Sequence, residues 1–239
     1  MTVIKRISLI NFILILTSCS GSKFKIEYFN SGAIKSKSEI KVIDGDTILE
    51  GESVTYYPNG KIYLREYYKN NILDSVSVWF YNNNENSIDL LQCVRDGKYF
   101  GSGFEYFENG IIKQYRYLNW EEEIVYYRKY NELGVLIDEE GHGIPLSYVD
   151  SFKYYMNDTI PITLGVVNPP GVDREFNLLI NYEDGTFDKF AIPLENKTYL
   201  TFLGSLDKKG KATCIFNLNF KSENEVVSSY KKVVEFVIE

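Results

Sequence analysis

Histidine, cysteine and methionine are nearly missing: the 239 residues hold one His, three Cys and two Met. One His and scattered Cys exclude an ordinary His/Cys zinc site, which needs four such ligands at close spacing. Any Ser-His-Asp arrangement would have to use His142, and no G-x-S-x-G nucleophile elbow occurs. "FGSGF" at 100–104 lacks that spacing and reads as a turn. No P-loop or dinucleotide-binding glycine pattern is present. The acidic runs at 121–123 and 138–140 lack calcium-loop spacing and read as solvated surface. No metal and no cofactor are expected. Six Pro and 17 Gly are too few for a disordered chain. Basic residues are outnumbered, 26 to 33. Without residues 1–18, which hold Lys5 and Arg6, 24 basic residues face the same 33 acidic ones, a net charge of −9. Such a surface repels polyanions, so nucleic acid is excluded as a partner.

What is abundant is aromatic. Apolar residues make up 44% and aromatics 15%, including 20 Tyr. Tyr-rich, Val/Ile/Thr-containing sequence favours strands, so the expected class is all-β. The start of the chain has another grammar. Lys5 and Arg6 precede an apolar run from Ile7 to Leu16, too short for a permanent membrane span. "LTSC", Leu16 to Cys19, resembles the lipobox of bacterial lipoproteins. The resemblance implies a signal peptide at 1–18 and lipidation of Cys19, which would tether the chain to a membrane. Each buried methylene adds roughly 0.8 kcal/mol of membrane affinity, so two or three acyl chains hold firmly. The remaining Cys93 and Cys214 read as small buried hydrophobes.

A repeat runs through residues 24–140. An aromatic stands before a polar turn in "EYFNSGAI" (Phe29), "TYYPNGKI" (Tyr57), "VWFYNNNENSI" (Tyr81), "EYFENGII" (Phe107) and "RKYNELGVL" (Tyr130). The steps average about 25 residues, each holding two strands and a turn. Gly32, Gly60, Gly110 and Gly134 are the expected positive-φ turn residues, and "NNNEN" implies a longer turn. In "KIYLREYYKN", Tyr63, Arg65 and Tyr67 share one strand face. "YYPNGKI" and "YFENGII" resemble MORN-type repeats in a short bacterial variant. That resemblance implies a β-hairpin array, and its relatives include antitoxin components and lipoproteins. Tyr56, Tyr57, Tyr106 and Phe107 are the candidate binding aromatics, with stacking within the array as the structural alternative.

"DEEGHGIPLS", from Asp138, reads as a linker, with His142 a linker residue. Residues 151–239 then show seven strand-like runs with turns every 8–12 residues, the pattern of an immunoglobulin-like sandwich with its own core. In "CIFNLNF", Cys214, Phe216, Leu218 and Phe220 share the core face. The last run, "EVVSSYKKVVEFVIE", has some helical spacing, but its valines favour strand. The functional expectation is a non-catalytic binding or scaffold module, lipid-anchored in a bacterial envelope at the periplasmic face of the outer membrane, with a protein or glycan partner. The alternatives are an immunity- or antitoxin-like protein and a carboxylate-dependent envelope hydrolase.

Overall fold

The computed structural model describes residues 23–239. The signal-like stretch 1–18 and Cys19 lie outside the described residues. Every regular element described is a strand. The first ten are β1 (Lys23–Tyr28), β2 (Ile34–Ile43), β3 (Asp46–Tyr56), β4 (Ile62–Lys69), β5 (Ile72–Phe80), β6 (Ile88–Arg95), β7 (Lys98–Tyr106), β8 (Ile112–Leu118), β9 (Ile124–Tyr130) and β10 (Leu136–Gly141). They form one antiparallel sheet in chain order.

As far as β8, two kinds of turn alternate along its edges. Asp44-Gly45, Asn70-Asn71 and Asp96-Gly97 make two-residue turns with φ between 50° and 92°. That geometry matches the right-handed twist of the strands it joins, and Asn, Asp and Gly tolerate it best. The opposite edge carries the repeated words. Phe29, Tyr57 and Phe107 each donate the backbone N–H to the carbonyl four residues on, at 2.8 Å. The glycine three residues on, Gly32, Gly60 or Gly110, donates back to the aromatic's carbonyl at 2.9 Å, with φ of +85°, +84° and +82°. Tyr81 closes on Ser87 instead, the longer turn that "NNNEN" requires. In the last unit Asn131, not Tyr130, takes the first turn position, with Gly134 at φ +77°. The Asn131 side chain explains the shift, since its Oδ1 accepts from the N–H groups of Leu133 and Val135 and closes the turn itself.

"FGSGF" is not a turn. It lies inside β7, where Gly101 has φ +76° at a break in the pairing between Gln92 and Val94. Gly51 and Ser75 hold positive φ at the matching breaks of the two preceding units. Local glycine content signals a bulge as readily as a turn, and here the bulge wins.

The rest of the chain forms β11 (Leu146–Val149), β12 (Lys153–Tyr154), β13 (Ile160–Gly165), β14 (Asp173–Tyr182), β15 (Phe187–Ala191), β16 (Tyr199–Gly204), β17 (Gly210–Ser222) and β18 (Glu225–Ile238). All seven runs read after residue 151 are strands, the last included. A three-stranded sheet has the order β11-β13-β16, and a five-stranded one β12-β18-β17-β14-β15. Cys214, Phe216, Leu218 and Phe220 alternate inward along β17 and are buried. Cys93 and Cys214 are both free thiols, and burial pushes that of Cys214 up to about 11.

Two expectations change. "DEEGHGIPLS" is not a loose linker, because β10 and β11 take most of it. Its glycines serve close packing: a side chain at Gly141 would strike the backbone of Val125 and Tyr126, and one at Gly143 the ring of Tyr230. Nor is the core of the C-terminal strands separate. Tyr115, Tyr117 and Tyr126 from the long sheet join Leu164, Phe176 and Phe216 in one buried cluster. Their hydroxyls made this hard to foresee, since each needs a partner once buried. Tyr117 Oη donates to the Thr198 carbonyl at 2.9 Å, and Tyr115 Oη accepts the Asn168 N–H at 2.7 Å.

Candidate binding surface

The sheet's register defines its faces. One row crosses all ten strands: Ile26, Lys37, Val54, Arg65, Val78, Leu91, Phe104, Tyr115, Arg128 and Glu139 are successive neighbours. Tyr115 and Arg128 lie in the shared core region, so this is the packed face. Side chains two residues away along a strand point the same way. Phe24 and Tyr28 therefore flank Ile26, while Tyr63 and Tyr67 flank Arg65.

At the far end of this face those groups are open. Phe24, Ile26 and Tyr28 are 42%, 40% and 59% exposed, and Tyr63 and Tyr67 close to 40%. Arg65 Nε lies 2.9 Å from Glu52 Oε1, and Tyr67 Oη donates to the same oxygen at 3.3 Å. Tyr57 meets Tyr63 edge-on at 5.0 Å. The result is a stripe of aromatic rims with a central ion pair, set on backbone that the hairpin ladder holds rigid.

The four aromatics singled out from sequence lie nearby, each half-buried in the turn edge. Tyr57 Oη donates to the Phe80 carbonyl at 2.9 Å, and Tyr81 Oη to the Tyr106 carbonyl at 2.7 Å. Each tyrosine thus ties its turn to the next unit's strand end. Burial raises the pKa of Tyr57, and lifts Tyr81 to about 12 with help from Asp89. Tyr106 stacks on Phe104, with ring centroids 6.5 Å apart. Phe107 takes the place of Tyr57 without a hydroxyl. Tyr57 and Tyr81 thus fasten successive units together, and the tips beyond them, such as Asn59 and Asn109, face solvent. The more accessible aromatics, Tyr63 and Tyr67, were legible from the alternation in "KIYLREYYKN".

Polar chemistry concentrates where the long sheet meets the C-terminal strands. Glu139 Oε1 accepts from Tyr126 Oη at 2.6 Å and Tyr230 Oη at 2.7 Å, while Arg128 Nη2 lies 3.2 Å from Oε2. Burial alone would raise the Glu139 pKa, but these hydrogen bonds and the guanidinium hold it below the usual carboxylate range. Burial first, and then Glu139, push Tyr230 up to about 12. The arrangement neutralises a buried Arg and leaves Glu139 fully engaged, so it reads as a clamp. His142 lies edge-on to Tyr230 at 5.2 Å, and its Nδ1 accepts the Ile144 N–H at 3.0 Å. No family model, curated protein or solved structure matches this chain. Its reading therefore rests on its own geometry.

Proposed function

We propose that the chain is a non-catalytic binding or scaffold module, displayed at a bacterial envelope by a lipid on Cys19 and meeting a protein or glycan partner through its repeat sheet. On this reading the hairpin array is a MORN-variant repeat, and the C-terminal strands form an immunoglobulin-like sandwich that supports one end of it. The supporting observation is the open end of the packed face. Strands β1–β6 hold only Val54 and Val94 among the buried apolar side chains described, yet expose Phe24, Ile26, Tyr28, Tyr63 and Tyr67 on that one face. Exposed aromatics on a rigid backbone give contact area at small entropic cost, which is why Tyr is enriched at interfaces.

The test is a photo-crosslinking residue placed at Tyr63 or Tyr67 in cells, with Glu27 on the opposite face of β1 as control. The expected outcome is one adduct, seen from the first two positions and absent from the third. It should disappear in Cys19→Ser, which leaves the chain unanchored. Equal labelling from all three positions, or none from any, would overturn the reading.

A further inference from the structure

On the C-terminal unit, away from the aromatic stripe, the five-stranded sheet ends with an unfinished strand. β12 is two residues long and pairs in parallel only with Val237 and Ile238 of β18. The bonds in that lane are Val237 N–H to the Phe152 carbonyl at 2.9 Å and Glu239 N–H to the Tyr154 carbonyl at 3.0 Å. The odd-numbered residues at this end of β18 thus turn their backbone groups away from β17. The β17–β18 register is regular from Gly210 to Phe220, so Lys231, Val233 and Glu235 direct theirs the same way. Beyond β12 no strand pairs with that side of β18 among the described residues.

A groove follows this edge. Its cavity measures ≈ 610 Å³, and its wall runs from Lys232 to Val237, with Tyr148 and Phe152 opposite. Tyr148 and Phe152 are 67% and 63% exposed. At the other end Tyr230 is covered by Gly143 and His142, which limits the open lane to the residues between Tyr230 and Val237. Charge selects the occupant. Lys211 is paired with Glu235 at 3.1 Å, whereas Lys231 and Lys232 form no ion pair among the described residues. A second copy docking antiparallel by its own β18 edge about Val233 would set Lys231 against a Glu235 that Lys211 already holds. An extended segment with carboxylates on one face would instead neutralise the unpaired Lys231.

We propose that this lane is a strand-addition site for an extended, acidic segment of a partner protein that alternates apolar and carboxylate side chains. Its backbone would continue the ladder β12 begins. Its apolar side chains would enter the groove beside Tyr148 and Phe236, and its carboxylates, on the opposite face of the added strand, would meet Lys231. This site is independent of the repeat-sheet face, and either can fail without the other.

Backbone hydrogen exchange in the full chain tests it, with an eight-residue peptide alternating valine and glutamate as probe and a valine–lysine peptide as control. At millimolar probe the outward amides of Lys231, Val233 and Glu235 should exchange about tenfold more slowly, as at about 90% occupancy. The control should leave them unchanged. Val233→Pro removes one outward N–H and no bond to β17, so the fold should survive and the protection should vanish. Lys231→Glu should weaken the response to the acidic probe and create one to the basic peptide, which keeps the test open if the proline variant does not fold. No slowing at residues 231, 233 and 235, equal slowing by both peptides, or protection that rises with protein concentration alone, the sign of a second copy in the lane, would each overturn the proposal.

Discussion

At β8 and β9 the row that crosses the packed face holds Tyr115 and Arg128, both buried; at β2 and β4 it holds Lys37 and Arg65, both partly solvated. The hydrogen-bonded ladder is continuous between them. What differs is what lies on top. Over β7–β9 the tyrosines meet Thr198, Asn168 and Tyr230 of the C-terminal strands, whereas over β1–β4 they meet only neighbours in the same sheet. One repeat grammar thus yields a core at one end and a surface at the other. Stability should therefore divide within the long sheet, near β6 and β7, rather than at the segment 138–150.

Truncation is the strongest way to break that comparison. The fragment 151–239 lacks β11, and lacks Tyr115, Tyr117 and Tyr126, which fill its core. It should give no cooperative melt. A chain deleted from 23 to 69, without β1–β4, should keep one, because its shared core is intact. Circular dichroism melts of both decide the matter, and a fragment 151–239 that melts as sharply as the full chain would return the boundary to the segment after β10.

A point substitution sharpens the same contrast. Tyr117 is fully buried, and its hydroxyl satisfies Thr198. Tyr117→Ala should cost about 3–5 kcal/mol, the range for large aromatic truncations. Val54→Ala, at the best-buried apolar site of β1–β5, should cost about 1–2 kcal/mol. Urea unfolding of the full chain measures both, and equal losses would mean that the two ends are alike.

The all-β class, the seven strands after residue 151 and the turn glycines were legible because each rests on local chemistry: alternation, β-branched and aromatic content, and positive φ. The shared core was not. Tyr115 and Tyr117 in "KQYRYL" look the same as Tyr63 and Tyr67 in "KIYLREYYK", and only the long-range partners of the first pair decide their burial. Glycine misled in two places for one reason: Gly101 and Gly143 serve a bulge and a close approach, which a sequence cannot distinguish from a turn or a linker. The aromatic stripe was half legible, its alternation visible and its exposure not.

The Glu139 clamp joins the two regions and should respond to acid. Its folded pKa lies below the ordinary carboxylate value, so its contribution is complete above the unfolded pKa and is lost as pH falls through the folded one. Glu139→Gln removes the charge facing Arg128, whose side chain is only 5% exposed, and should cost about 2–3 kcal/mol at neutral pH. The gap between wild type and variant should close below the usual carboxylate range. A gap that stays constant down to acid unfolding would mean that the carboxylate's charge does not hold the junction.

The smallest expected effects lie at the repeated turns. Gly60, Gly110 and Gly134 share positive φ, and a side chain added at Gly60 or Gly110 would meet nothing within 4 Å. At Gly134 the nearest atom, in Ile111, is 3.9 Å away, an ordinary contact. The cost of valine is therefore backbone strain alone, about 1–2 kcal/mol, and should be nearly equal at the three positions. The same loss should nevertheless appear in different places. At Gly60 the turn is tied to the next unit by exposed or half-buried contacts, Tyr57 Oη, the Asn59–Asn82 pair and Lys61 Nζ to Asn84, so Gly60→Val should loosen β3–β4 locally. At Gly110 the flanking β7 and β8 carry Ser102 and Tyr115 of the core, so Gly110→Val should lower the global midpoint. Hydrogen exchange beside urea melts separates the two outcomes. If Gly60→Val lowered the global midpoint as much as Gly110→Val, the long sheet would unfold as one cooperative unit from end to end.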